Sequence, residues 1–316
     1  MRCKCVRDIV DEANRILFTK HYATEDRSVE YFFRGESKNF LRQRDGTNLP
    51  LDTSFPCCLD RDDGYIDHER DFYQEALRLN IASFEKDQTM VERLGRMQHY
   101  QVPTRFCDAT TNVLMAAMFA CGGGRHGEYD EEHDGYIRVI KAKKERIKSF
   151  TSDIIVAIAH LPLVDRKNIN PSKKDDGLDY LRYEITNNRP GFAMTASPEI
   201  KRKLCEEIQH VWAFKPVWNT ERIREQSGIF LAFGCRDNKE PLHPTFSLQD
   251  FNNPDAPSYG IAQVEVIQIQ SDCKSRIREE LRYFGVSREL VYSDLSDVAQ
   301  EITPRYTYNN KGKEVQ

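Results

Sequence analysis

With 316 residues, 39% of them hydrophobic and 17 Phe and 14 Tyr among them, the chain has the material for one large domain or two small ones. A net charge of −4, with 30% charged residues, argues against any global pull toward nucleic acid or anionic membrane. No apolar run reaches spanning length and the N-terminus lacks a basic-then-apolar signal pattern, so a soluble, cytoplasmic protein without membrane association is expected.

In chain order, Ile9, Val10, Ala13, Ile16 and Leu17 fall at helical spacing, which predicts an amphipathic helix within an N-terminal segment, residues 1–27. Val29 to Phe33 is β-branched and aromatic, a strand that delivers Arg34 and Gly35 at its end. Polar sequence over 36–64 predicts a loop-rich excursion, followed by a helix from about Ile66 to Phe84 with Phe72, Tyr73, Ala76, Leu77 and Ile81 on one face. A second helix is predicted from about Asp87 as its cap, broken by Pro103.

Beyond Gly124 come an acidic loop (Glu128 to Asp134), a strand (Tyr136 to Ile140) and a basic run: Lys141, Lys143, Lys144, Arg146 and Lys148. Ile154 to Leu161 reads as a buried strand, and Asn168 to Gly177 as a loop. Ser197-Pro198 starts a helix, and Val211–Phe214 and Ile229–Phe233 read as strands. A loop from Pro241 to Gly260 precedes a strand, Ile261 to Ile269. Ser271 caps a helix that stops at Gly285, and a last short helix begins near Ser293. Residues 304–316 read as a flexible tail, leaving 28–303 as one domain. Long helices early and scattered strands later predict an α+β fold with a mixed or mostly antiparallel sheet and flanking helices.

Nine cysteines without paired CxxC spacing predict free thiols in a reducing compartment, with no metal site.

The chain is organised around Gln98 to Gly124. Gln98, His99, Thr104, Arg105, Asp108, Thr110, Thr111 and Asn112 precede a short run, Val113 to Ala120, that is apolar all round and therefore a buried helix. Thr111 or Asn112 can cap it, and Gly122 to Gly124 offer a positive-φ stop. Arg105 and Asp108 are expected either to pair and hold the turn or to orient a ligand. His99 is either a hydrogen-bonded structural histidine or a general acid/base.

Tyr31-Phe32-Phe33-Arg34-Gly35, then Gln98 to Asp108 (QHYQVPTRFCD), then Thr110 and Ala116 to Ala120, resemble the FRG-domain family, named for its Phe-Arg-Gly triplet. The likeness is strong over 28–125 and thinner at Gln226, Gly228 and Phe230; Lys274 to Leu295 also suits the family's C-terminal pattern. Departures are Gln101 for glycine, Cys107 for leucine and Ala109 for tryptophan.

The pattern is also more distantly similar to ADP-ribosyltransferases, which implies an ADP-ribosyltransferase-like core and NAD as a substrate, with no tightly bound cofactor. On that resemblance Arg34, Gly35, Thr104, Arg105 and Thr110 would bind the dinucleotide, Arg34 at its pyrophosphate. Gln226 or neighbouring Glu225 would stand at the third motif, with Asp108 and His99 completing the chemistry. A planar arginine fork suits phosphate oxygens, and Gly35 would let a ligand approach the backbone. Arg34, Asp108 and Gln226 are then expected to line one pocket. Three function classes follow: an ADP-ribosyltransferase or NAD glycohydrolase with a protein or nucleic-acid acceptor, a nucleotide- or phosphate-sensing module without turnover, and a nucleic-acid binder using Lys141–Lys148 and Lys201–Lys203.

Overall fold

The computed structural model describes residues 2–19, 28–38, 59, 65, 68–100, 102–122, 129–163, 203–204, 206–217, 221–234, 251–256 and 259–288. In chain order these form β1 (Arg2–Cys3), α1 (Val6–Asn14), β2 (Val29–Glu36), α2 (Glu69–Asn80), α3 (Met90–His99), β3 (Phe106–Thr110) and α4 (Val113–Cys121). There follow β4 (Gly135–Lys143), β5 (Ile147–Ser149), α5 (Asp153–His160), β6 (Val211–Lys215), α6 (Glu221–Glu225), β7 (Gly228–Phe233), β8 (Ile261–Ile269) and α7 (Lys274–Tyr283).

The strands make one mixed sheet in the order β1-β8-β4-β2-β3-β7-β6-β5. The six inner strands pair antiparallel; the edge strands β1 and β5, two and three residues long, pair parallel to β8 and β6. The fold is therefore α+β with a mixed sheet. The N-terminal segment joins it through β1 and through α1, whose Ile9 and Ala13 are buried against α4 and α7.

Alternation along the strands sorts the core into two faces. One face carries Phe33, Val139 and Ile267 under α1, α4 and α7, continuing as Phe106, Phe214 and Phe230 under α3 and α5. The other carries Phe32, Cys107, Ala109, Ile140, Leu231 and Phe233, with Leu59 against them. Each fully buried Phe contributes about 1.5–3 kcal/mol.

The closest packing is between β2 and α4. A Cβ on Gly35 would lie 1.9 Å from the Ala116 carbonyl oxygen and 2.8 Å from the Ala120 nitrogen. The glycine of the triplet thus admits α4 to the strand backbone, and the space beside it is filled by the helix where a ligand was expected.

Several local expectations are corrected. Ile154 to Leu161 is the helix α5 and the short 3-10 turn that follows it. An apolar run buried on all sides has no period to separate strand from helix, and the Ser152-Asp153 start decides it. The cap of α3 is Thr89, in a capping box with Glu92, while Asp87 forms a two-pronged ion pair with Arg96 at 2.6 and 2.8 Å. The expected turn through Asp108 is the strand β3.

Asn112 does cap α4, accepting from Leu114 N at 2.9 Å; Gly122 follows at φ −76°, and Gly123 and Gly124 lie outside the described residues. Phe119 is only half-buried, whereas Ala116 and Ala117 are fully buried. The helix expected from Ile66 begins at Glu69 and tightens into a 3-10 turn over Ile81–Phe84. Ser271 opens a 3-10 turn ahead of α7. Expectations at 168–177, 197–198 and 241–250, and those beyond residue 288, lie outside the described residues.

Candidate functional site

Strand β2 carries Arg34 and Glu36 two residues apart, hence on one face. Arg34 Nε donates to Glu36 Oε1 at 3.1 Å, and its Nη1 donates to the main-chain carbonyl of Asp108 at 2.7 Å. Strand pairing sets Arg138 of β4 opposite Arg34, and its Nε donates to the other Glu36 oxygen at 2.7 Å. Arg138 Nη1 then reaches Gln263 Oε1 of β8, also at 2.7 Å. Glu36 and Arg138 are buried in an otherwise apolar face, Arg138 at 1% exposed, while Arg34 and Gln263 are half-buried. Two guanidiniums sharing one carboxylate are compatible with such burial only because the geometry supplies these bonds.

Asp108 sends its side chain the other way. It shares a face with Phe106 and Thr110, and Thr110 pairs with Phe33, not with a residue of Arg34's face. Arg34 and Asp108 therefore do not line one face, contrary to the single pocket expected. Ala109 lies on Arg34's face.

Asp108 Oδ2 accepts from Gln98 Nε2 at 3.1 Å, while Oδ1 is buried with no hydrogen-bond partner. Thr104 Oγ1 donates to Gln98 Oε1 at 2.8 Å and accepts from the Phe106 amide at 3.2 Å. His99 is buried, its ring centroid 5.3 Å from that of Phe230.

Arg105 pairs not with Asp108 but with Glu69 of α2. Its Nε donates to Glu69 Oε1 at 2.6 Å, its Nη2 to Oε2, and its Nη1 to the Phe233 and Gly234 carbonyls at 3.1 and 3.3 Å. It is wholly buried, a clamp between α2, β3 and β7.

At the third motif, Thr110 Oγ1 donates to the Gln226 carbonyl at 2.7 Å and accepts from the Asn112 amide at 3.0 Å. The Thr111 amide donates to the Ser227 carbonyl at 3.3 Å, and the Ser227 amide to Arg224 O at 3.1 Å. Ser227, at φ 48°, is the non-glycine positive φ among the described residues, a conformation that surroundings must hold in place. Gln226 is buried, whereas Glu225 is exposed at 36% of its side chain beside Arg224.

Sequence reasoning missed Glu36, Glu69, Arg138 and Gln263. Glu36 had a signal, its i+2 position from Arg34; the others depend on strand register and helix placement. Among the described residues no group of three or more His, Cys, Asp or Glu is placed to hold a metal ion, and no helix is long and apolar enough to cross a membrane.

The family model of the FRG domain matches residues 29–128. No curated protein and no solved structure matches the chain.

Proposed function

Because the chain carries an FRG domain at residues 29–128, from β2 through α4, we propose that it is a dinucleotide site of the ADP-ribosyltransferase type, with NAD as substrate and Arg34 at the pyrophosphate. The observation that carries this reading is strand order. The strands bearing the first, second and third motifs, β2, β3 and β7, are consecutive neighbours, and the Thr110 hydroxyl closes on the Gln226 carbonyl. Arg34 is held by a carboxylate on one side and a carbonyl on the other, so its planar fork enters any contact already oriented. Cleavage of the nicotinamide glycosidic bond develops an oxocarbenium-like centre, which a carboxylate stabilises. Glu225, the accessible acid of the third motif, takes that role.

A second reading, nucleotide sensing without turnover, is favoured by Gln226. The buried third-motif position holds a neutral amide in place of a carboxylate.

Calorimetry with NAD and ADP-ribose, beside thermal melts, tests the first reading. Arg34→Lys keeps the charge but loses the fork, and binding weakens roughly tenfold or more, the cost of one charge-assisted hydrogen bond. Wild-type protein that binds neither nucleotide at millimolar concentration overturns the reading. Binding of NAD without release of nicotinamide selects the sensing alternative, and release that is lost in Glu225→Gln selects the enzyme.

A further inference from the structure

The basic run 141–148 carries five cations and one acid in a chain whose net charge is −4. Such a run is ordinarily a solvated face, with each charge answered by a neighbouring carboxylate. Here it is organised differently.

Lys141 and Lys143 stand 4.8 and 5.4 Å from the centroid of the Phe251 ring. Lys143 is also 4.0 Å from that of Tyr259, which Arg146 approaches to 4.8 Å. Arg146 lies 4.4 Å from the Trp212 ring, and Lys148 lies 4.9 Å from the same ring on its own account. Lys141, Lys143, Arg146 and Lys148 thus alternate with three rings in a continuous strip, each of them one ring from the next, with Lys144 beside it.

The strip starts at the end of β4 that pairs with Val29, seven residues along β2 from Glu36, and passes to β5 and β6. Arg146 is buried in it as a central tie, Lys144 is exposed, and Lys141, Lys143 and Lys148 are half-buried. Among the described residues no carboxylate lies within ion-pair distance of any of these five cations, although elsewhere arginines such as Arg15, Arg78, Arg96 and Arg276 find acids readily.

Aromatic faces hold the cations in a row by the ring quadrupole while leaving their charge uncompensated. We infer that this strip binds the phosphate backbone of a nucleic acid, through residues distinct from those of the proposed nucleotide site.

Three features favour that ligand. A row of cations matches a chain of evenly repeated phosphates better than it matches a single anion. The rings are already engaged by cations, and Trp212 is only 4% exposed, so bases have no free platform and binding is independent of sequence. None of the exposed large apolar side chains belongs to the strip, which leaves a membrane surface nothing to anchor in.

The test uses the full chain and a fluorescein-labelled oligothymidylate of about 15 nucleotides, the upper end of a single-strand site. Its duplex, polyglutamate and phosphatidylserine vesicles run beside it. Anisotropy across a salt series is expected to give a logarithmic slope of about −0.7 per phosphate engaged, or roughly −3 for the four lysines. Each of Lys141→Gln, Lys143→Gln, Lys144→Gln and Lys148→Gln lowers that slope. The fourfold glutamine variant abolishes binding, and the fourfold arginine variant retains it with an unchanged melting temperature.

Absence of oligonucleotide or duplex binding at low salt and about 10⁻⁴ M protein, the weak end of non-specific affinity, overturns the inference. So does a slope indifferent to the glutamine substitutions, equal binding of polyglutamate, or binding of vesicles alone. NAD titrations of the same variants stay unchanged, so failure here and failure at the nucleotide site are told apart.

Discussion

At Gly35 the whole side chain is a hydrogen, and α4 is seated against it. Gly35→Ala places a methyl 1.9 Å from the Ala116 carbonyl, which no rotamer relieves because both partners are backbone. Overpacking of this kind costs about 1–3 kcal/mol and more where nothing can yield. Denaturant titration is expected to show a loss at or beyond the top of that range, and a loss below about 1 kcal/mol would mean that α4 can be displaced. Arg105 and Glu69 behave differently, since each compensates the other. Removing one partner, as in Glu69→Ala, leaves a fully buried guanidinium and costs about 3–5 kcal/mol. Arg105→Met together with Glu69→Leu is expected to recover most of that loss in the same titration. The residues of these motifs were legible in the sequence as a set, but their tasks were not. Arg105 and Asp108 stand three apart, and in a strand that separation sends them to opposite faces. The reading of that stretch as a turn hid the parity.

Among the elements, strands with strong β-branched and aromatic composition were read correctly: β2, β4, β6, β7 and β8 stand within a few residues of expectation. Helix α5 was missed because burial on all sides erases periodicity, and β3 because its polar residues imitate a loop. Register was not legible at all. Nothing in the sequence sets Arg138 opposite Arg34, and that pairing is what makes Glu36 a shared acceptor. The junction of β6 with the basic strip carries a pH signature. Burial first, then the nearby charge of Arg146, pushes His210 below its ordinary value of 6.5. The neutral ring is thus the form that folding favours. Its contribution is fully present above 6.5 and is lost as pH falls from there through the folded-state value. Urea midpoints measured from about pH 7.5 down to 5.5 should decline, and His210→Gln should flatten that part of the slope. A slope unchanged by the substitution would place the acid sensitivity elsewhere.

Across the whole molecule, the α+β class and the mixed sheet followed from the order of long early helices and later strands. What composition could not reveal is how the two ends of the described chain meet. β1 lies beside β8, the Val6 amide donates to Glu280 Oε2 at 2.7 Å, and the Gln270 amide donates to the Cys3 carbonyl at 3.2 Å. Val6 and Glu280 are 274 residues apart. Synthesis is vectorial, so α1 leaves the ribosome well before β8 and α7 and must wait for them before its apolar stripe is covered. Contacts of such separation are closed late and slowly. During that interval Ile9, Ala13 and Ile16 are open to a chaperone or to a neighbouring nascent chain. A chain ended before Ile261 is expected to melt without a cooperative transition and to leave the α1 amides unprotected in hydrogen exchange. A sharp melt from that shortened chain would show instead that the N-terminal half folds without the strand that seals it.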